Sequence, residues 1–305
     1  MLRRLDAILP VTRADMPRAR LLLRSLEGRL SCLGTLFIVV PEGHEQDVRT
    51  ACSGSTIPIE VLPETAIVPE LVWLGPIKGW YKQQLIKLAI ADHVETDFYL
   101  TFDADVLCTR PATFEQLLRV ERDGTAKAPV ALLADTHPDW YQQAAAVLGM
   151  SPTRGGHLHS VTPAILARGG VRELATFLED RLARGRYATG LRGAKQRLAA
   201  GALRAFGRER LRPWRLLLGA STPWTEYALY YTFLECAGSF DRYHFDTDVC
   251  IYNVEQSVWR ADRDHFHRWD PAPLFVGAGP PFFVVVQSIT RIPPAEVEAK
   301  IAKYL

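Results

Sequence analysis

The sequence predicts an α/β protein built on a mostly parallel central sheet. Apolar runs of strand length alternate with segments of helical spacing through the first half of the chain. A 305-residue chain that is 48% hydrophobic has enough apolar surface to cover both faces of such a sheet. Alternation of this kind gives right-handed βαβ units whose strands are buried on both sides.

The elements follow in order. The apolar run from Asp6 to Val11 is the first strand, and it opens into the loop Pro10-Val11-Thr12-Arg13-Ala14-Asp15. Ala19, Leu22, Leu23 and Leu26 then recur at helical spacing. Leu36 to Val40 is a second strand, cut by Pro41-Glu42-Gly43; Glu45 to Cys52 is helical, and Ile57 to Leu62 is a third strand. Leu85, Ile86, Leu88, Ala89 and Ile90 place a helix over Tyr81 to His93. Phe98 to Phe102 is a buried strand, and Val130 to Leu133 is another that ends in Ala134-Asp135.

The second half is less regular. Asp139 to Leu148 and Val171 to Leu182 have helical spacing, Thr225 to Ala237 is a buried aromatic-rich helix, and Phe282 to Val286 is a late strand. Pro294 suits a first helical turn, and Val297, Ile301 and Leu305 make Pro293 to Leu305 a closing helix. No internal repeat or low-complexity linker interrupts the chain, so one domain is expected, with a regular half (1–135) and a less regular half (136–305).

Net charge is +2, which does not mark a nucleic-acid binder. Cys32, Cys52, Cys108, Cys236 and Cys250 contain no CxxC pair and are odd in number, which argues for a reducing, cytoplasmic setting over a disulfide framework or structural zinc. Asp6 and Pro10 break the apolar start, so no signal peptide is expected, and no 18-residue apolar run predicts a spanning helix. One stretch stands apart. Residues 181–215, within a basic helical insertion over 181–219, carry eleven Arg and Lys residues against the single acid Glu209. Leu191, Leu198, Ala202, Ala205 and Phe206 can share one helical face there. Such a basic amphipathic helix suits the inner surface of an anionic plasma membrane, a polyanionic acceptor, or a solvated face that pairs with the acidic remainder.

The most informative motif is Phe102-Asp103-Ala104-Asp105-Val106. Two carboxylates one residue apart stand at the carboxyl end of a buried strand, where open α/β sheets bind ligands. Carboxylate oxygens suit Mg²⁺ or Mn²⁺, ions usually shared with substrate phosphates. The alternative is a pair of solvated turn aspartates. Asp246-Thr247-Asp248 repeats the pattern, but its polar flank reads as a turn.

Together with Lys78-Gly79-Trp80-Tyr81-Lys82-Gln83-Gln84, Thr225-Glu226-Tyr227 and Val286-Gln287-Ser288, this motif resembles the GT-A fold glycosyltransferases, and more narrowly an uncharacterised bacterial branch of them. The resemblance implies a Rossmann-like fold whose first half, 1–135, binds a nucleotide-sugar and whose second half, 136–305, meets the acceptor. It implies that Asp103 and Asp105 hold Mn²⁺ or Mg²⁺ against the donor diphosphate, with Asp103 also near the ribose. Thr12 and Arg13 would contact the nucleotide. Its acceptor would be a glycan or lipid-linked glycan of the bacterial surface, and the enzyme a hexosyltransferase peripheral to the membrane.

Other residues are weighed within that frame. Lys82 and Gln83 open a helix, whose amino end favours anions, and are taken as donor-site residues. Lys87 does not share a helical face with Lys82, so one of the two is a surface lysine. Trp80 and Tyr81 either wall the pocket or join the core. Glu226 is the leading general base for an inverting transfer, with Asp135 the alternative; Thr222 and Thr225-Glu226 also read as a helix cap. Trp224 and Tyr227 flank that acid as substrate contacts. His157 and His159 project to one side of an extended segment, for sugar binding or for packing. Many families of this fold carry a late metal-binding His; here Gln287 or Ser288 stands in its place, or His265 or His267 supplies it. Three further readings remain: a haloacid dehalogenase-like phosphatase with Asp103 as nucleophile, for which a later Gly-Asp-x-x-x-Asp is missing, a sugar nucleotidylyltransferase, for which the glycine-rich start is missing, and a non-catalytic lectin-like protein, which would bind sugar without nucleotide.

Overall fold

The computed structural model describes residues 3–74, 77–134, 138–151, 157–159, 162–186, 194, 197–198, 201, 205, 212–220, 224–259 and 263–305. Its main sheet has the order β3-β2-β1-β4-β9: β1 is Leu5–Pro10, β2 Leu33–Val40, β3 Ile59–Pro63, β4 Phe98–Thr101 and β9 Ala164–Ala167. The first four strands run parallel, and β9 lies antiparallel on β4. The chain moves outward from β1 through β2 to β3, then returns to the other side of β1 as β4. That reversal opens a crevice at the carboxyl ends of β1 and β4, the place where open α/β sheets take ligands.

Strand alternation divides the interior in two. Ile8, Phe37, Val39 and Tyr99 face one core, which is closed by the helices Gly79–Ala89, Arg168–Ala183, Pro213–Ala220 and Glu226–Cys236. Ala7, Leu9, Leu36, Ile38, Val40 and Leu100 face the other, under the helices Met16–Leu26 and Glu45–Cys52. A period of two on a strand buried on both faces gives this division. Asp6 is the exception inside β1. Its buried carboxylate accepts the backbone N–H groups of Thr35 at 2.9 Å and Glu95 at 3.0 Å, tying β1 to the start of β2 and to the turn before β4. Gly34 makes room for it, since a Cβ there would stand 2.4 Å from Asp6 Oδ1.

Smaller sheets complete the site. β5 (Val106–Cys108) pairs antiparallel with β11 (Phe283–Val285), which brings the late segment Val286–Ser288 beside Asp105. β7 (Ala126–Ala134) pairs antiparallel with β6 (Arg119–Val120) and β8 (His157–His159), and parallel with β10 (His244–Thr247).

The structure departs from the sequence reading in three places. Asp246 and Thr247 belong to β10 rather than a turn, because pairing with β7 supplies their backbone partners. The sheet gains antiparallel β9, whose short apolar run leads without a turn into the helix Arg168–Ala183 and so has no boundary that marks it as a strand. At the end of the basic stretch, Arg215 is buried, 2.8 Å from Asp92 Oδ2 and 3.5 Å from Glu70 Oε2, so that cation is spent inside the fold. Most of 187–211 lies outside the described residues. Among those described, no helix is long and apolar enough to cross a membrane.

Candidate functional site

A cavity of about 300 Å³ opens at the crevice between β1 and β4. Pro10 and Asp15 line it from the end of β1, and Asp103, Ala104 and Asp105 from the end of β4. Trp80, Gln83, Gln84 and Lys87 come from the helix Gly79–Ala89. Positions 80, 83, 84 and 87 form one helical face, so a single helix carries an indole at one end of the cavity wall and an ammonium about 10 Å further along. Thr225, Glu226 and Tyr227 close the floor; Trp140, Thr162, Trp259, Val285 and the segment Gln287–Ile289 complete the lining.

Lys87 organises this floor. Its side chain is 2% exposed, and Nζ lies 2.7 Å from Asp103 Oδ1 and 2.9 Å from Glu226 Oε1. It also reaches Thr162 Oγ1 at 3.3 Å. Burial acts to depress the ammonium, but the attraction of Asp103 and Glu226 outweighs it and holds the pKa well above the ordinary lysine value. Glu226 is equally buried. Desolvation raises its carboxyl and Lys87 opposes the rise, with the net direction upward. The backbone N–H of Glu226 is donated to Gln84 Oε1 at 3.1 Å, and Thr225 caps the helix by accepting from Ala228 N at 3.2 Å. Glu226 is thus the first residue of its helix, with a neighbouring side chain serving as the cap.

Asp105 is held from the late segment. Its Oδ2 accepts the Ser288 N–H at 2.6 Å, while its carbonyl accepts Val286 N–H at 2.9 Å. Burial first, and the nearby negative charge of Asp103 second, push its carboxyl up to about 6. Two carboxylates that repel each other across an open crevice are a donor set a divalent cation would relieve. Among the described residues no group of three or more His, Cys, Asp and Glu side chains converges, so Asp103 and Asp105 would share such an ion with ligand oxygens and water, the arrangement Mg²⁺ and Mn²⁺ accept.

The remaining predicted site residues separate. Gln83 and Tyr227 line the cavity; the buried Tyr227 hydroxyl lies 2.7 Å from both Thr101 Oγ1 and Thr162 Oγ1. Lys82 does not line it. One position off the 80-83-84-87 face, it pairs with Glu64 at 2.6 Å, and Lys87, the other of the two lysines, occupies the site. Thr12 accompanies Asp15 in a capping pair, giving both its N–H and its hydroxyl to Asp15 Oδ2, so Asp15 is the side chain of that loop that lines the cavity. Arg13 is exposed and stands 3.6 Å from Asp47. Trp224 is buried in the core, its indole N–H donated to the Leu218 carbonyl. His157 and His159 lie on β8, beside Ala134 and Leu132. Asp135 falls outside the described residues. His265 lines a second cavity with Arg110 and Trp269, while Gln287 and Ser288 stand beside Asp105. Trp140 and Trp259 carried no motif, and Asp15 and Gln84 stood inside quoted segments without a role; the helical spacing from Trp80 is the signal that points to Gln84 and Lys87.

Comparison with solved structures finds likeness over most of the chain. Mouse xyloside xylosyltransferase 1 in its apo form is 12% identical with a TM-score of 0.49, covering 95% of this chain and 100% of that one. The galactosyltransferase LgtC, in complex with donor and acceptor sugar analogues, is 9% identical with a TM-score of 0.46, covering 92% and 86%. The apo-form glycosyltransferase GlyE of Streptococcus pneumoniae TIGR4 is 10% identical with a TM-score of 0.40, covering 98% and 63%. No curated protein sequence matches the chain. A family model matches residues 2–305, and the chain belongs to that family, DUF6492, a family of unknown function.

Proposed function

We propose that this chain is a metal-dependent glycosyltransferase that moves a sugar from a nucleotide-sugar donor to a saccharide or lipid-linked saccharide. One observation carries the reading: a single buried ammonium, Lys87, joins the strand-end carboxylate Asp103 to the helix-start carboxylate Glu226 within one cavity. The cavity therefore sets a carboxylate pair suited to a divalent cation beside a further carboxylate suited to proton transfer, the two things a metal-assisted sugar transfer needs.

Asp103 and Asp105 would hold Mn²⁺ or Mg²⁺, which when bound neutralises charge growing on the departing nucleoside diphosphate. Lys87 keeps a positive charge beside Asp103 and fixes the position of its Oδ1. Glu226, with its carboxyl raised by burial, accepts the proton of the attacking acceptor hydroxyl in an inverting displacement. Ser288 fixes Asp105 through its N–H. The basic residues of 181–215 supply attraction to an anionic membrane on which a lipid-linked acceptor would sit, at the cytoplasmic face.

Thermal-shift titrations with UDP, GDP, CMP and TDP, with and without Mn²⁺, test the donor end. We expect one diphosphate to stabilise the protein only with metal. Glu226→Gln is expected to abolish transfer while changing nucleotide affinity less than about threefold. Transfer that survives in that variant removes Glu226 as base, and a protein that no nucleotide stabilises overturns the transferase reading.

A further inference from the structure

Two tryptophans line the cavity, and one of them, Trp80, lies about two helical turns before Lys87 on the same helix. Trp80 is 45% exposed, Trp140 is half-buried, and their ring centroids lie 6.3 Å apart at 41°. Both line the cavity that holds Asp103 and Glu226. They belong to the helices Gly79–Ala89 and Pro138–Leu148, and both helices pack against Glu226–Cys236, whose first residue is the proposed base. Asp105, by contrast, is held by Ser288 on the late segment, and Pro10 and Asp15 line the cavity from the end of β1. The aromatic wall is therefore carried by two helices that pack against the helix opened by Glu226, and the one bearing Trp80 also packs against β1.

We propose that Trp80 and Trp140 form a stacking platform for a pyranose ring of the saccharide acceptor, with the Gln83 amide recognising its hydroxyls. The inference rests on the transferase reading above and adds the seat of the acceptor ring. One face of a pyranose is rich in C–H bonds that meet the electron-rich face of an indole, while its rim carries hydroxyls that need polar partners. The wall supplies both. Gln83 lies one helical turn from Trp80 on the same face, and both line the cavity. A purely apolar occupant would bury the Gln83 amide without a partner, a costly arrangement. A ring seated on Trp80 lies about 10 Å from Lys87 by helical rise, so the saccharide extends from the platform toward Glu226.

Intrinsic tryptophan fluorescence tests the platform directly. The wild-type protein would be titrated with cellotetraose, maltotetraose and chitotetraose, and separately with the nucleoside diphosphate and Mn²⁺ that stabilise it. The same titrations would follow on Trp80→Ala, Trp80→Phe and Trp140→Ala. We expect at least one tetrasaccharide to bind, Trp80→Ala and Trp140→Ala to weaken it about tenfold, and Trp80→Phe to recover most of that loss. Nucleotide affinity is expected to stay within about twofold in every variant. Saccharide affinity unchanged in both alanine variants, or no tetrasaccharide bound by the wild type, overturns the platform. So does a loss of nucleotide rather than saccharide affinity, which would make the rings a nucleobase seat. The two readings fail separately: tetrasaccharide binding lost on Trp80→Ala, with no nucleotide bound under any condition, keeps the platform and discards the transferase. Trp80→Phe and near-unchanged melting of each variant exclude misfolding as the cause.

Discussion

Lys87 shows how one side chain can tie two acids together. Its ammonium is the common partner of Asp103 and of Glu226, and Glu226 has almost no contact with solvent. Removing one member of a buried ion pair strands the other charge, at a cost of about 3–5 kcal/mol, whereas neutralising both is often nearly free. Lys87→Met is therefore expected to lower unfolding stability by that amount, and the double variant Lys87→Met with Glu226→Gln to recover most of it. Urea melts of the two single variants and the double variant would check this, and simple additivity would show that the two groups are not coupled. Asp105 makes a separate prediction. Its carboxyl rises from 3.8 to about 6 in the fold, so between those values the native state holds a proton that the unfolded chain has released. Stability of the metal-free protein then falls as pH climbs through that window. Asp105→Asn is expected to flatten the decline; parallel pH profiles of wild type and variant would refute the perturbation.

At the scale of elements, the helix Gly79–Ala89 and the strand β1 place the site. The helix was legible: Leu85, Ile86, Leu88 and Ala89 mark its buried face, and all four are buried. Which of its polar residues serve the cavity was not legible, because Gln84 and Lys87 are themselves buried and differ from ordinary core positions only through Asp103 and Glu226, distant in sequence. Lys82, one position off that face, was the lysine the sequence favoured for the donor site, but it pairs with Glu64 and Lys87 takes the cavity. β1 depends on a close approach between Asp6 and Gly34 that no periodicity reveals. Gly34→Ala would drive a Cβ into the Asp6 carboxylate and is expected to destabilise the protein by about 1–3 kcal/mol. The same substitution placed in Asp6→Ala, which removes the carboxylate the Cβ would meet, should add less to the cost than it does in the wild type; chemical denaturation of the single and double variants decides it.

Across the whole molecule, charge is divided unevenly. Residues 181–215 hold eleven basic groups against one acid in a chain whose total is +2. Part of that excess is internal, because Arg215 is buried with Glu70 and Asp92. The proposed contact with anionic lipid would draw on the remaining basic residues of that stretch. We expect the protein to co-sediment with vesicles containing phosphatidylglycerol at low salt, to leave them as ionic strength approaches about 0.5 M, and to ignore neutral vesicles. Absence from anionic vesicles at low salt would remove the membrane contact from the proposal. The sheet order joins the scales: the reversal between β1 and β4 brings residue 10, residues 103–105 and residues 225–227 to one crevice from opposite parts of the chain.

The identity of strands β1 to β4 and of the helices Met16–Leu26, Gly79–Ala89 and Glu226–Cys236, the Asp103-Ala104-Asp105 spacing at a strand end and the Thr225-Glu226 helix start are local properties, written in hydrophobic period and residue type, and they are readable in order along the chain. The partnership of Lys87 with Asp103 and Glu226, the hold of Ser288 on Asp105, the meeting of Trp80 with Trp140 and the assignment of Lys82 to Glu64 are not local. Each joins side chains far apart in sequence, and each depends on which helix packs on which face of the sheet, a choice that burial of the whole core makes collectively.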